Sequence, residues 1–185
     1  MGFFVKIRKY AGFCRLRRES SKVLREKRTV GLSKARNIGL VYYLPDEESY
    51  RTVSAFVKKL QEQGKVVKAL AYVENRRLTG LFLPKLSYDF FYPSGLGWNY
   101  KPRTLRVKDF TDTPFDLLLD LSLADKLPLL FVTAMSKAKF KAGMQSDARS
   151  RLLDLMISLD NKKGLQDLIE QLEHYLNIIN GKYED

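Results

Sequence analysis

The chain has little of what most enzyme sites are built from. Its 185 residues contain one cysteine, Cys14, and one histidine, His174. A single cysteine excludes an intrachain disulfide and a cysteine-rich zinc site. Cys14 reads as a small apolar residue on an apolar face. A Ser-His-Asp triad or a Cys-His dyad would have to use His174, which falls in a helical pattern near the C-terminus and reads as a plain helix residue. No run of about 18 apolar residues occurs, so no membrane-spanning helix is expected. Phe3, Phe4 and Val5 are interrupted at once by Lys6, Arg8 and Lys9, which is not the order of a secretory signal. The expected location is the cytoplasm, with no cofactor and no metal. Internal repeats and low-complexity segments are also missing.

What is present is the mixture of an ordinary globular domain, 45% hydrophobic, 12% aromatic and 29% charged. A chain of this length buries about two-thirds of its unfolded surface and needs no covalent staple. The charge is uneven. Of the net +12, residues 1–36 supply +10, twelve Lys/Arg against Glu19 and Glu26, and residues 37–185 supply +2. Two parts follow: a basic N-terminal arm, 1–36, and a nearly neutral domain, 37–185.

Within the arm, Phe3, Ile7, Tyr10 and Cys14 recur at helical spacing with Phe4 and Ala11 beside them. A basic amphipathic helix has three uses. It can dock its apolar stripe on its own domain, lie on an anionic membrane surface, or contact RNA or DNA phosphates. The anion- or nucleic-acid-binding set is Lys6, Arg8, Lys9, Arg15, Arg17, Arg18, Lys22, Arg25, Lys27 and Arg28. About ten cations in so short a stretch suffice for micromolar, salt-sensitive nucleic-acid binding. The arm lacks aromatic–basic interleaving, so phosphate contact without sequence reading is expected.

The domain opens with an apolar run from Ile38 to Tyr43 that stops at Pro45. Asp46 is a natural helix N-cap, followed by Glu47 and Glu48 where the helix dipole favours acids. Tyr50, Val53, Phe56, Val57 and Leu60 then repeat at three and four, and Gly64 closes the helix. Val66 to Val73 is a second apolar strand. Strand, helix and strand in so short a span make a βαβ unit of a covered parallel sheet. Further on, Leu78–Leu83 reads as a short strand or a loop, Tyr88–Tyr92 as a strand, and Pro93–Pro102 as a loop. Phe115–Leu121 reads as a strand, Leu127–Met135 as a short helix, and Phe140–Met144 as a strand. Residues 152–160 are ambiguous, period-two alternation favouring a strand while a helix also fits, and Leu165 to Ile179 form a closing amphipathic helix. The fold class expected is α/β: a three-layer Rossmann-like sandwich with a mostly parallel five- or six-stranded sheet and a basic N-terminal helical arm. Ligands of such sheets bind beyond the carboxyl ends of the strands where the order reverses. With the first strand central, that points to the loops Tyr43–Glu48 and Leu121–Lys126.

The chemistry at those loops is sparse. The first βα turn has no glycine and a proline without an N–H, so it offers a phosphate little backbone approach, and its three carboxylates repel one. Gly95-Leu96-Gly97 begins like a dinucleotide fingerprint, but Tyr100 stands where the third glycine belongs. Trp98, Tyr100, Lys101, Arg103 and Arg106 mix aromatic and basic side chains that either grip an anion or pack on the sheet edge. Asp120, near the carboxyl end of its strand, is either a base or a loop hydrogen-bonding group. Asp46, Asp120, Trp98, Tyr100 and Lys101 are therefore the cleft candidates.

The stretches Ala35–Leu40, Phe115–Leu121, Ser136–Gly143 and Leu153–Ile157, with the helix carrying Tyr175 and Leu176, resemble a family of short uncharacterised bacterial proteins, which implies a fold and no activity. More distantly, Phe115–Leu121 followed by Ser136…Gly143 is similar to the N-terminal half of heptosyltransferase-like glycosyltransferases. That similarity implies an acceptor-side fold without the second domain that binds the sugar donor. The leading expectation is a non-catalytic protein held by its arm on an anionic partner. Structured or ribosomal RNA ranks first, an anionic membrane surface second, and a larger complex is a third setting. The rival is a small enzyme working at the carboxyl edge of the sheet.

Overall fold

The computed structural model describes residues 2–75, 86–160 and 162–181. The Leu78–Leu83 reading lies outside them. Six strands form one all-parallel sheet: β1 (Asn37–Tyr43), β2 (Val66–Tyr72), β3 (Tyr88–Phe91), β4 (Leu117–Asp120), β5 (Phe140–Met144) and β6 (Leu155–Ile157). Their order across the sheet is β3-β2-β1-β4-β5-β6. The order reverses at β1, which pairs with β2 on one side and β4 on the other. This is the doubly wound, Rossmann-like arrangement expected from the alternating pattern.

Alternation along the strands sends Ile38, Leu40, Tyr42, Leu117 and Leu119 to one face. There α2 (Glu47–Glu62) and α5 (Leu165–Gly181) cover them with Val53, Phe56, Val57, Leu60, Leu168, Leu172 and Leu176. Val41, Leu70, Tyr72 and Leu118 point the other way, against α3 (Leu105–Asp112) and α4 (Leu127–Met135). The ends of α2 follow the local chemistry: Asp46 accepts a 2.8 Å hydrogen bond from the Ser49 N–H, and Gly64 takes φ 76° just past the helix.

The 18-residue helix α1 (Phe3–Ser20) lies against α4 outside that second layer. Leu16 enters a small cluster with Leu127, Leu130, Phe131, Ala134 and Leu152. Gly12 permits the close approach. A Cβ there would stand 2.5 Å from Leu127 Cδ2 and 2.7 Å from the Asn99 carbonyl oxygen. The chain from 21 to 36 then runs back under the sheet. The Arg28 N–H donates to Lys139 O and the Leu32 N–H to Leu176 O, while Val30, Leu32 and Ala35 join the main core.

Helix α3 is an addition to the sequence reading. Val107, Phe110 and Thr111 are its buried residues, a three-and-four spacing too short to stand out. The strand expected over 115–121 is shorter, Leu117–Asp120, although the Phe115 carbonyl still accepts from the Lys139 N–H and the Leu121 N–H donates to the Val41 carbonyl; the Phe115 ring packs against Phe110 with centroids 4.9 Å apart.

Candidate functional site

Three places could carry function: the carboxyl edge of the sheet at the order reversal, the outer surface of α1, and the cavities that flank the end of α1.

The carboxyl edge is filled by the protein's own groups. Asp120 is fully buried. One of its oxygens accepts from the Ser122 N–H at 3.1 Å and the other from the Thr133 hydroxyl at 3.1 Å. Arg149, as deeply buried, lies 3.6 Å from Asp120 and 3.3 Å from Asp125. The Arg149 guanidinium also donates to the Ala124 and Met144 carbonyls. Asp120 is thus the inner half of a sealed ion pair, with its lone pairs in use. Across the crevice, Lys126 pairs with Glu74 and stands 4.1 Å over the Tyr43 ring. Burial works against the Lys126 charge, yet Glu74 beside it holds the ammonium above its ordinary pKa. Burial, then the Glu74 carboxylate, pushes the Tyr43 phenol up. Asp46 is spent on capping α2. Arg149 is the residue that sequence reasoning missed here; its only signal was a guanidinium in a turn, 29 positions from its partner.

The candidates Trp98, Tyr100 and Lys101 come together, but as a clamp on α1. Arg8 donates to the Trp98 carbonyl and lies 4.1 Å over the Tyr100 ring. Lys101 bonds Glu19 at 2.9 Å. That ammonium, aided by Arg15 and Lys22, holds the Glu19 carboxyl below its usual range although burial opposes it. The loop is kept in shape by its own backbone: Gly97 N–H to Lys101 O at 2.8 Å, Arg103 N–H to Gly95 O at 2.9 Å, and a bridge between Leu96 and Pro102.

The ten arm cations therefore divide. Arg8 and Arg15 face the body, Arg15 through Glu19, and Arg25 grips Asp154 with both oxygens, at 2.8 and 2.6 Å. Lys27 reaches the same carboxylate only at 3.9 Å. Among the described residues, Lys6, Lys9, Arg17, Arg18, Lys22 and Arg28 form no ion pair.

The apolar stripe of α1 is turned away from the body. At 100° per residue, Phe3, Ile7, Tyr10 and Cys14 lie opposite the docked Gly12–Leu16 line. Phe3 is 74% exposed, Phe4 83% and Tyr10 74%, and Cys14 is exposed with a free thiol. Lys6 and Arg17 flank the stripe on one side and Arg18 on the other. The helix docks through a glycine and one leucine and shows its aromatic residues to the outside.

Beside the end of α1, a groove of about 850 Å³ runs between Glu19, Lys22, Val23 and Leu24 on one wall and Lys101, Arg103, Thr104, Val107, Lys108 and Lys137 on the other. Its two acids, Glu19 and Asp112, engage three of its five cations. Lys101 pairs with Glu19, and Lys108 and Lys137 pair with Asp112. Among the described residues, no three His, Cys, Asp or Glu side chains gather as a metal site, and no helix is long and apolar enough to cross a membrane.

The fold and this surface define a doubly wound parallel α/β protein that, among the described residues, places internal ion pairs at the carboxyl edge of its sheet and an outward cationic and aromatic face on its first helix. The chain belongs to the Family of unknown function (DUF6913), which it matches over residues 8–179. No curated protein matches it.

Proposed function

We propose that this is a non-catalytic protein that attaches to an anionic partner through the outer face of α1, and that the partner is an anionic membrane surface. One observation carries the reading: exposed Phe3, Ile7 and Tyr10 form an apolar stripe on the side of α1 away from the body, with exposed Phe4 just beyond it, and the flanking Lys6, Arg17 and Arg18 form no ion pair among the described residues. Exposed rings beside cations can seat at an anionic bilayer, with the rings at the acyl boundary and the cations among the headgroups. A structured RNA keeps most of its bases paired and stacked, so it would reward the cations more than the rings, and RNA ranks second. An enzyme at the carboxyl edge would need room that Lys126, Glu74, Tyr43 and Arg149 take up.

The test is sedimentation of the full chain with vesicles of phosphatidylcholine, alone and with about 30% phosphatidylserine, and filter binding to a structured RNA. Each cation near an anionic surface contributes about 1 kcal/mol, so Lys6→Gln, Arg17→Gln and Arg18→Gln together should weaken vesicle binding about a hundredfold. Phe3→Ser with Tyr10→Ser should weaken it at least as much, through lost apolar burial. Vesicle binding that ignores the aromatic pair refutes the membrane reading. RNA binding that ignores the aromatic pair, with no vesicle binding, returns the function to RNA. Binding to neither rejects the docking role.

A further inference from the structure

A second cavity, of about 250 Å³, opens beneath the segment that leaves α1. Its walls carry four cations, Arg25, Lys27, Lys141 and Arg151, and no carboxylate among the described residues. The nearest acid, Asp154, is already engaged. It takes Arg25 on both oxygens and the Lys141 backbone N–H at 2.9 Å.

Two of the cations are held in place. The Lys141 side chain is buried, and its Nζ donates at 2.6 Å to the Thr133 carbonyl, near the negative end of α4. The Ala134 carbonyl lies at 3.5 Å, and an ammonium has three N–H groups to place. Arg25 is fixed by the Ala138 and Lys139 carbonyls at 3.1 and 2.9 Å and by Asp154. Lys27 and Arg151 are exposed. Burial first, then Arg25 and Lys27, pull the Lys141 ammonium down to a pKa of about 7, with Asp154 opposing them only in part. A cavity whose walls repel their own charges is completed by a small anion. Its volume is below the range of about 300–1,000 Å³ that drug-sized ligands occupy, while the larger groove alongside has its own acids.

We propose that this cavity binds a phosphoryl dianion, with Arg25 and Lys141 as its buried anchors and Lys27 and Arg151 as exposed partners. The dianion is either free phosphate or a phosphate ester, or the phosphomonoester headgroup of a lipid. The inference does not depend on the outer face of α1.

The test uses the full chain and inorganic phosphate, with chloride at the same ionic strength as control. At about ten times its Kd, phosphate should raise Tm by about 3 °C over chloride. Lys27→Gln with Arg151→Gln, both at exposed positions, should remove most of that shift, and Lys141→Met should remove all of it. If a lipid is the source, vesicles containing phosphatidic acid should bind about tenfold better than phosphatidylserine vesicles of equal charge, and the preference should vanish in the Lys27→Gln, Arg151→Gln protein. An equal phosphate shift in the double variant overturns the site. So does the absence of both the phosphate shift and the phosphatidic acid preference.

Discussion

The two ends of the sheet treat charge in opposite ways. At the carboxyl ends of the strands, Arg149 meets Asp120 and Asp125 and Lys126 meets Glu74. At the amino ends, beneath the segment leaving α1, Arg25, Lys27, Lys141 and Arg151 surround one cavity, and Asp154 pairs with Arg25 and Lys27. In a doubly wound sheet the carboxyl end ordinarily holds the ligand. Here, among the described residues, that end holds matched internal pairs, and cations without a matched acid lie at the opposite end and on the surface of α1. A fold's usual binding place is thus a matter of the side chains installed there, not of the strand order.

The comparison can be broken at the matched end first. Arg149→Met removes a buried cation and strands Asp120 in the interior, which should cost about 3–5 kcal/mol in urea unfolding. A loss under about 1 kcal/mol would mean that the pair is wetter than its burial implies.

At the unmatched end the sign reverses. The Lys141 ammonium is held low in the folded protein, at about 7 against an ordinary 10.5. The unfolded chain therefore binds more protons between those values, and this group makes stability rise as pH rises through that window, with its full cost present below pH 7. Lys141→Met should stabilise the protein at pH 6 by on the order of 1–3 kcal/mol, net of the lost hydrogen bond to Thr133, and by much less near pH 10. Equal effects at both pH values would contradict the electrostatic account.

Smaller effects sharpen the picture at α1. Gly12→Ala gains about 1 kcal/mol of helix propensity, but its methyl meets the Asn99 carbonyl, which is backbone and yields little. Overpacking of that kind costs about 1–3 kcal/mol. The net expectation is about 1 kcal/mol lost, read as faster amide exchange in α1 than in α4. Least of all, Lys6→Gln with Arg17→Gln should change unfolding stability by under about 0.5 kcal/mol, because neither side chain has an internal partner.

Much of the fold was legible in the sequence because its signals are local. The Asp46 cap, the Gly64 stop and the apolar runs of β1, β2 and β5 depend on neighbours a few residues away. The 152–160 alternation was legible for the same reason, since Leu155–Ile157 is the strand β6. The site was far less legible, because its meaning lies in distant pairings. Arg8, Arg15 and Arg25 look like Lys6 and Arg17 in the sequence. The Arg15–Glu19 pair is an i,i+4 contact on one helix, but only the Tyr100 ring beside Arg8 and Asp154 beside Arg25 separate those two anchored cations from the rest. The stripe of Phe3, Ile7, Tyr10 and Cys14 suggested the face that docks. Gly12, with no side chain to count, gave no sign that it sits on the docking face.

The hydrogen bond from Leu32 to Leu176 ties the approach to the central strand to the closing helix. Residues 30–35 leave the ribosome before α5 has been made, so that bond can close only once α5 has formed. The approach to β1 is therefore fastened late, and whatever loosens α5 should loosen it too.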